Sequence, residues 1–330
     1  MIGKYEIIVE NKKVKYRLEI KRNITVIRGD SATGKSTLVS MINDFYNLGK
    51  SSGVNVICSK ECRVLEGKDW MSQLEHIDNS IVFVDEGNPF VTSRDFSRKI
   101  KHSNNYYVLI TRERLTELPY SVQEIYGIRQ SGKYQDTKLV YNETYKLYGG
   151  DGRIIRPKRV IVEDETAGFE FFNILCKKYG ITCEAAKGKS NVFKKIDKNI
   201  TEKVLLIVDG AAFGSEMDLV MKCISIYTNY VLYAPESFEY LILKSGLLKD
   251  KDMHAEIDVD EIINIPEQYA ESTKYYSWER FFNKLLEKKT QDIKGWHYDK
   301  TELNQAYQTE RALKLIPKVM QSIEFKDKNE

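Results

Sequence analysis

No two of the five cysteines form a Cys-x-x-Cys pair, the count is odd, and the four histidines are isolated from them. That excludes a thiolate zinc site and a disulfide framework, and free thiols point to a reducing compartment. No apolar stretch approaches the ~20 residues needed to span a bilayer. The opening residues, "MIGKYEIIVENKKVKY", alternate polar and apolar like a strand rather than reading as a leader. The expectation is a cytoplasmic protein with no membrane partner. Charge of one sign is scarce too: the formal net charge is +3, too slight to establish a nucleic-acid partner by itself. Repeats and low-complexity tracts are absent.

What is present is a chain of 330 residues, 42% hydrophobic and 30% charged. It can bury a sizeable core, in one large domain or two ordinary ones. A boundary falls in "YGGDGRIIRPKR", Tyr148 to Arg159, where three glycines and a proline separate two structured halves. In the first half the strand-like runs are "NITVI", "VNVICS", "SIVFVDE" and "YYVLITR"; in the second they are "RVIVED", "GITCEAA", "KVLLIVDG" and "NYVLYAP". Separated by helix-length segments, they predict buried parallel sheets in both halves. Between the first two runs of the second half, Phe171, Leu175 and Tyr179 recur at helical spacing and Gly180 stands ready to cap. After Pro235 the pattern turns helical, with Trp278, Phe281, Phe282, Leu285 and Leu286 on one apolar face, read as core. The last residues, "EFKDKNE", read as a solvated tail.

Gly29-Asp30-Ser31-Ala32-Thr33-Gly34-Lys35-Ser36, followed by Thr37, fits the pattern G-x-x-x-x-G-K-[ST] between a strand and an amphipathic helix. The glycines let backbone N–H groups converge on phosphate oxygens, and the helix adds its positive end. Lys35 would reach the β- and γ-phosphates and Ser36 would offer its hydroxyl to Mg²⁺. A matching acid is expected at the end of a buried strand. Asp85 supplies it, holding the Mg²⁺ shell, and Glu86 would orient and activate water. Thr111 and Arg112 end the next run as candidate γ-phosphate sensors or an arginine finger, with Arg114 and Arg129 as alternatives. The extra strand "VNVICS" between the motifs and the Asp-Glu pair resemble the ATPase branch of P-loop proteins. No Asn-Lys-x-Asp guanine-reading motif is present, and the ~45 residues between the motifs leave no room for an ABC-type helical subdomain. ATP with Mg²⁺ is the expected cofactor.

The second half places carboxylates at strand ends: Glu163 and Asp164 after "RVIV", and Asp209 after "LLIV". In a parallel sheet such groups converge on one crevice, and oxygen-preferring Mg²⁺ or Mn²⁺ suits them. "VIVEDETAGFEFF" and "LLIVDGAAFGSEMD" resemble the two acidic motifs of a Toprim domain, the metal-binding fold of topoisomerases, primases and OLD-family nucleases. The resemblance spans roughly Pro157 to Leu243. It implies Glu163 as general acid/base or metal ligand and Asp209 as metal ligand. One position departs from the pattern: Ala211 stands where the second motif has another acid, and Glu216, Asp218, Glu236 or Glu239 would have to compensate.

The expected fold class is therefore α/β, a P-loop NTPase sheet followed by a Toprim-like doubly wound domain with a helical C-terminal extension. The expected domains are 1–148, 149–245 and 246–330, the last packed on the second. The resemblance to a reduced OLD-family protein implies an ATP-binding, ATP-hydrolysing protein with a nucleotide-regulated, metal-dependent nuclease, and a homo-oligomer through the ATPase half is expected. Nucleic acid is the expected partner, and the basic run "KGKSNVFKK", Lys187 to Lys195, would contact its backbone. Two alternatives stand beside it: an ATP-dependent switch whose second half only binds, and a small-molecule kinase.

Overall fold

The computed structural model describes residues 1–29, 33–131, 139–149, 152, 154–249 and 258–325. The chain is a mixed α/β protein with a nine-stranded sheet and a separate four-stranded parallel sheet. It packs as two units. The first is Met1–Gly149 with Glu267–Ser277, and the second is Gly150–Pro266 with Trp278–Glu330. Residues 267–277, expected in the C-terminal extension, thus belong to the first unit. There the Asn23 side-chain amide donates to the carbonyls of Ser272 and Tyr275.

In the first unit the strands are β1 (Tyr5–Glu10), β2 (Val14–Ile20), β3 (Ile24–Ile27), β4 (Asn55–Ile57), β5 (Cys62–Val64), β6 (Ile81–Val84), β7 (Tyr106–Ile110), β8 (Ile125–Gln130) and β9 (Val140–Lys146). Its helices are α1 (Lys35–Leu48), α2 (Trp70–Glu75) and α3 (Arg94–Ile100). The order across the sheet is β4-β1-β2-β9-β8-β3-β7-β6-β5, and the stretch β8-β3-β7-β6-β5 is parallel throughout. β3, β6 and β7 are buried at every position because both of their faces are covered, so their sequences are apolar runs rather than alternations. β2 alternates buried and exposed residues, the signature of a strand with one wet face.

"VNVICS" is a correction. β4 does not join the parallel stretch but pairs antiparallel with β1 at the far edge. β5, three residues long and too short to show periodicity, takes the place beside β6. β4 and β5 are therefore opposite edges of one sheet, joined by residues 58–61 alone. A flat nine-stranded sheet would hold its edges about 38 Å apart, whereas that connection reaches about 17 Å at most. The sheet must curl, and it curls around α1, whose Leu38, Val39, Met41 and Ile42 share one core with Ile7, Val9, Ile27, Val108 and Cys62.

The second unit carries β10 (Arg159–Val162), β11 (Thr182–Ala185), β12 (Val204–Ile207) and β13 (Tyr230–Tyr233), all parallel, in the order β11-β10-β12-β13. Its helices are α4 (Ala167–Lys178), α5 (Met217–Ile226), α6 (Phe238–Lys244), α7 (Val259–Asn264), α8 (Trp278–Thr290) and α9 (Glu310–Lys318). From β10 the chain moves outward to β11, then returns to the other side as β12. The carboxyl ends of β10 and β12 thus flank the point where the winding reverses, where open α/β sheets form their crevice. Trp278, Phe281, Phe282, Leu285 and Leu286 are all buried, as core. The tail begins later than expected: Phe325 is buried, and 326–330 lie outside the described residues.

Candidate functional sites

The first cluster lies at the carboxyl ends of β3, β6 and β7. Asp30, Ser31 and Ala32 lie outside the described residues. Around them, Gly29 and Gly34 both have positive φ, 132° and 84°, which side-chain-bearing residues rarely adopt. The Tyr16 hydroxyl donates to the Gly34 carbonyl at 2.9 Å, and a Cβ on Gly34 would come within 2.6 Å of that hydroxyl oxygen. Gly34→Ala is therefore expected to cost about 1–3 kcal/mol through backbone strain and a displaced Tyr16, read as a lower midpoint of the first unit's unfolding transition. α1 begins at Lys35 with no acid in its own first turn. Lys35 Nζ donates to the Gly29 carbonyl at 3.0 Å and to Thr33 Oγ1 at 2.9 Å, which folds it over the turn. Thr37 follows in the first helical turn.

Ser36 Oγ lies 3.4 Å from Asp85 Oδ1, so the two motifs meet across 49 residues of sequence. The Glu86 N–H donates to the same Asp85 oxygen at 2.8 Å. The Glu86 carboxylate pairs with Arg112 Nε at 3.0 Å. β7, lying between β3 and β6, brings Arg112 there. Thr111 is buried beside β3, its N–H on the Ile27 carbonyl at 3.3 Å. Arg129 is held elsewhere, on Glu143 across the β8–β9 hairpin.

The second cluster lies at the carboxyl ends of β10 and β12. The Asp209 N–H donates to Glu163 Oε2 at 2.9 Å, and the Glu163 N–H donates to the Ile207 carbonyl at 2.9 Å. Side chain and backbone thus clasp the two strand ends together. Gly210 must be glycine, since a Cβ there would sit 2.5 Å from the Ala234 carbonyl oxygen. Glu163, Asp164 and Asp209 line a cavity of about 20 Å³ with Gly168, Phe172 and Phe238, room for one water or ion. Asp164 Oδ2 accepts from Thr166 Oγ1 at 2.6 Å. Its Oδ1 is buried with no hydrogen-bond partner among the described residues.

Glu279 and Lys300, which the sequence motifs did not single out, add charge to this crevice, and Glu239, one of the expected compensating acids, lies near them. Lys300 Nζ lies 2.7 Å from Glu279 Oε1 and 3.7 Å from Asp209 Oδ2. Glu239, 1% exposed, accepts from the Tyr298 hydroxyl at 2.8 Å through Oε1. Its Oε2 has no hydrogen-bond partner. Burial pushes Glu163 up to about 7 against the pull of the Asp209 N–H, with Glu279 and Asp164 adding to the rise. Asp209 is raised well above the usual carboxylate range by burial and then by Glu279, although Lys300 opposes this. Burial works against the Lys300 ammonium, but Asp209, Glu239 and Glu279 outweigh it and raise its pKa.

Glu216 and Glu236, expected to compensate for Ala211, are not part of that cavity lining. Glu216 is buried, with Oε1 3.2 Å from Ser215 Oγ, and Glu236 meets Ala211 through its backbone carbonyl. Among the described residues no three His, Cys, Asp or Glu side chains gather into a ready metal cage. Glu279 and Lys300 were invisible as site residues because they lie on α8 and the segment after it, outside any strand-end motif. Within "KGKSNVFKK", Lys187 pairs with Glu165 and Lys195 with Glu184, and Lys189 lies close enough to lower the Glu163 pKa. No family model and no curated protein matches the chain. Among the described residues no helix is long and apolar enough to cross a membrane.

Proposed function

We propose that the chain binds and hydrolyses ATP in its first unit, and that its second, Toprim-like unit is a metal-dependent nuclease regulated by that nucleotide. The meeting of Ser36 with Asp85 carries the first part: one hydroxyl and one carboxylate, adjacent at a helix N-terminus, suit a phosphate-bound Mg²⁺. Glu86 is then the base that orients water, with Arg112 holding its carboxylate. The position of β7 between β3 and β6 supports the ATPase branch of P-loop proteins, since it delivers Thr111 and Arg112 to the phosphate end. ATP-driven self-association through this unit is part of the same proposal.

In the second unit, the orphaned Asp164 oxygen, the one-ion cavity and the Glu163–Asp209 pair fit a hydrated Mg²⁺ or Mn²⁺, which takes one or two carboxylates and keeps several waters. Bound there, the ion would supply Lewis-acid activation of a phosphodiester. Glu163, titrating near neutrality, is suited to carry a proton to or from the reacting oxygen. Lys300 offsets the carboxylate charge that would otherwise repel a nucleic-acid backbone. The basic segment Lys187 to Lys195 offers phosphate contacts beside Glu163.

A second reading, a nucleotide-driven switch with an inactive second unit, is favoured by Ala211 and by the Lys300 ammonium standing against Asp209. Supercoiled plasmid incubated with Mg²⁺ or Mn²⁺, with and without ATP, separates the two. Nicking by the wild type that Glu163→Ala abolishes supports the nuclease. ATP turnover over intact plasmid supports the switch. Lys35→Ala should weaken ATP binding about 100-fold, the value of a lost charge-assisted phosphate contact, and remove any ATP effect on nicking. Unchanged affinity in that variant overturns the nucleotide site.

A further inference from the structure

We infer that Cys58 and Cys62 form a reactive dithiol, a site of reversible oxidation by hydroperoxides that closes as a disulfide across the two edges of the curled sheet. The turn Ser59–Lys60–Glu61 presents both sulfurs to one another: the Lys60 N–H donates to Cys58 Sγ at 3.4 Å, and the Cys62 thiol lies 3.9 Å from the Lys60 carbonyl. Both sulfurs therefore sit against the backbone of one residue, Lys60. Cys58 is half-buried at the surface and Cys62 is buried beneath it at 8% exposure. Solvent-borne oxidant thus meets Cys58 first, with a resolving thiol on the other side of the same short turn. The Cys62 thiol, the Lys60 and Ser59 N–H groups and the Lys60 charge lower the Cys58 pKa, against the opposing effect of burial, which favours its thiolate.

The chemistry needs one equivalent of peroxide and nothing else. The Cys58 thiolate attacks the peroxide O–O bond and becomes a sulfenic acid as the distal oxygen leaves as hydroxide and takes a proton. Cys62 sulfur then attacks the sulfenic sulfur, the S–S bond forms, and the hydroxyl leaves as water with the Cys62 proton. Two thiols are oxidised by two electrons in all, and the peroxide is reduced to two waters.

The chain carries its own comparator. Cys176 on α4 and Cys183 on β11 also act on each other, but Cys176 is fully buried, and Cys183 together with burial pushes its thiol up. Proximity is common to both pairs, and an accessible stabilised thiolate belongs to the first.

The full-length protein, reduced and then freed of reductant, is treated with one equivalent of hydrogen peroxide at pH 7 and mapped by mass spectrometry. The expected product is a 58–62 crosslink, two hydrogens lighter and reversed by dithiothreitol, while 176 and 183 stay reduced. Iodoacetamide should label Cys58 about tenfold faster than Cys176 or Cys183. Cys62→Ser should accumulate a sulfenic acid at Cys58 that dimedone traps, and Cys58→Ser should abolish the crosslink. Crosslinking of 176 to 183 at an equal rate, sulfinic acid at Cys58 without a crosslink in the wild type, or no oxidation at all overturns the assignment. Circular dichroism of each variant guards against misfolding, and the wild-type map stands without the variants.

Discussion

Glu163→Gln is expected to make the second unit more stable at pH 8, by about 3 kcal/mol, while removing whatever proton transfer Glu163 performs. Burial raises the Glu163 carboxyl to about 7, whereas in the unfolded chain it titrates in the ordinary glutamate range. The folded state therefore holds this proton more tightly than the unfolded state does. Its contribution to stability is fully present below about pH 4.5 and is lost as pH rises through 7. At pH 8 the wild type carries an ionised carboxylate in a poorly solvated crevice. Glutamine keeps an oxygen to accept the Asp209 N–H and carries no charge. The gain should be absent at pH 4, grow between pH 4.5 and 7, and level off above. Urea unfolding of both proteins at pH 4, 6 and 8, following the second unit's transition, measures it. A gain independent of pH, or a loss at pH 8, would remove the electrostatic account of this crevice.

Burial sets that stability cost at Glu163, and burial also decides which parts of the molecule were legible in sequence. The core strands were legible because burial on both faces writes apolar runs: "ITVI", "IVFV" and "YYVLI" all became β-strands, as did the four runs of the second unit. The register of "VNVICS" was not, since a three-residue edge strand pairs through backbone geometry that its side chains do not encode. The meeting of the Gly-Lys-Ser loop with an acid at the end of a buried strand was legible because that pattern ties fixed residue types to strand ends, and Ser36 and Asp85 do meet. Glu279 and Lys300 were not, since a helix far along the chain can aim any polar residue at a crevice without a local signal. The Cys58–Cys62 pair was missed for a related reason. Its spacing matches no motif, and only the turn sets both sulfurs against the Lys60 backbone.

Lys300→Met is expected to show the largest loss, about 3 kcal/mol at pH 8, since it leaves half-buried carboxylates without the ammonium that faces them. Lys300 Nζ lies 2.7 Å from Glu279 and 3.7 Å from Asp209, and its charge also acts with that of Glu239. The loss should shrink toward pH 5. Lys300 itself stays protonated throughout that range, because its pKa is raised above the ordinary lysine value, so the change comes from its partners. Asp209 and Glu163, both raised, take up protons as pH falls and no longer need a counter-charge. Lys300→Arg should keep most of the stability. Millimolar Mg²⁺ then tests function as well as electrostatics, since an ion that binds only the folded state stabilises it by mass action. If the crevice accepts a divalent cation, Mg²⁺ should restore stability to Lys300→Met more than it stabilises the wild type, because cation and ammonium answer the same carboxylates. If Mg²⁺ leaves the variant as unstable as before, Lys300 is the only cation this crevice was built to hold, and the second unit is the binding element of a nucleotide switch.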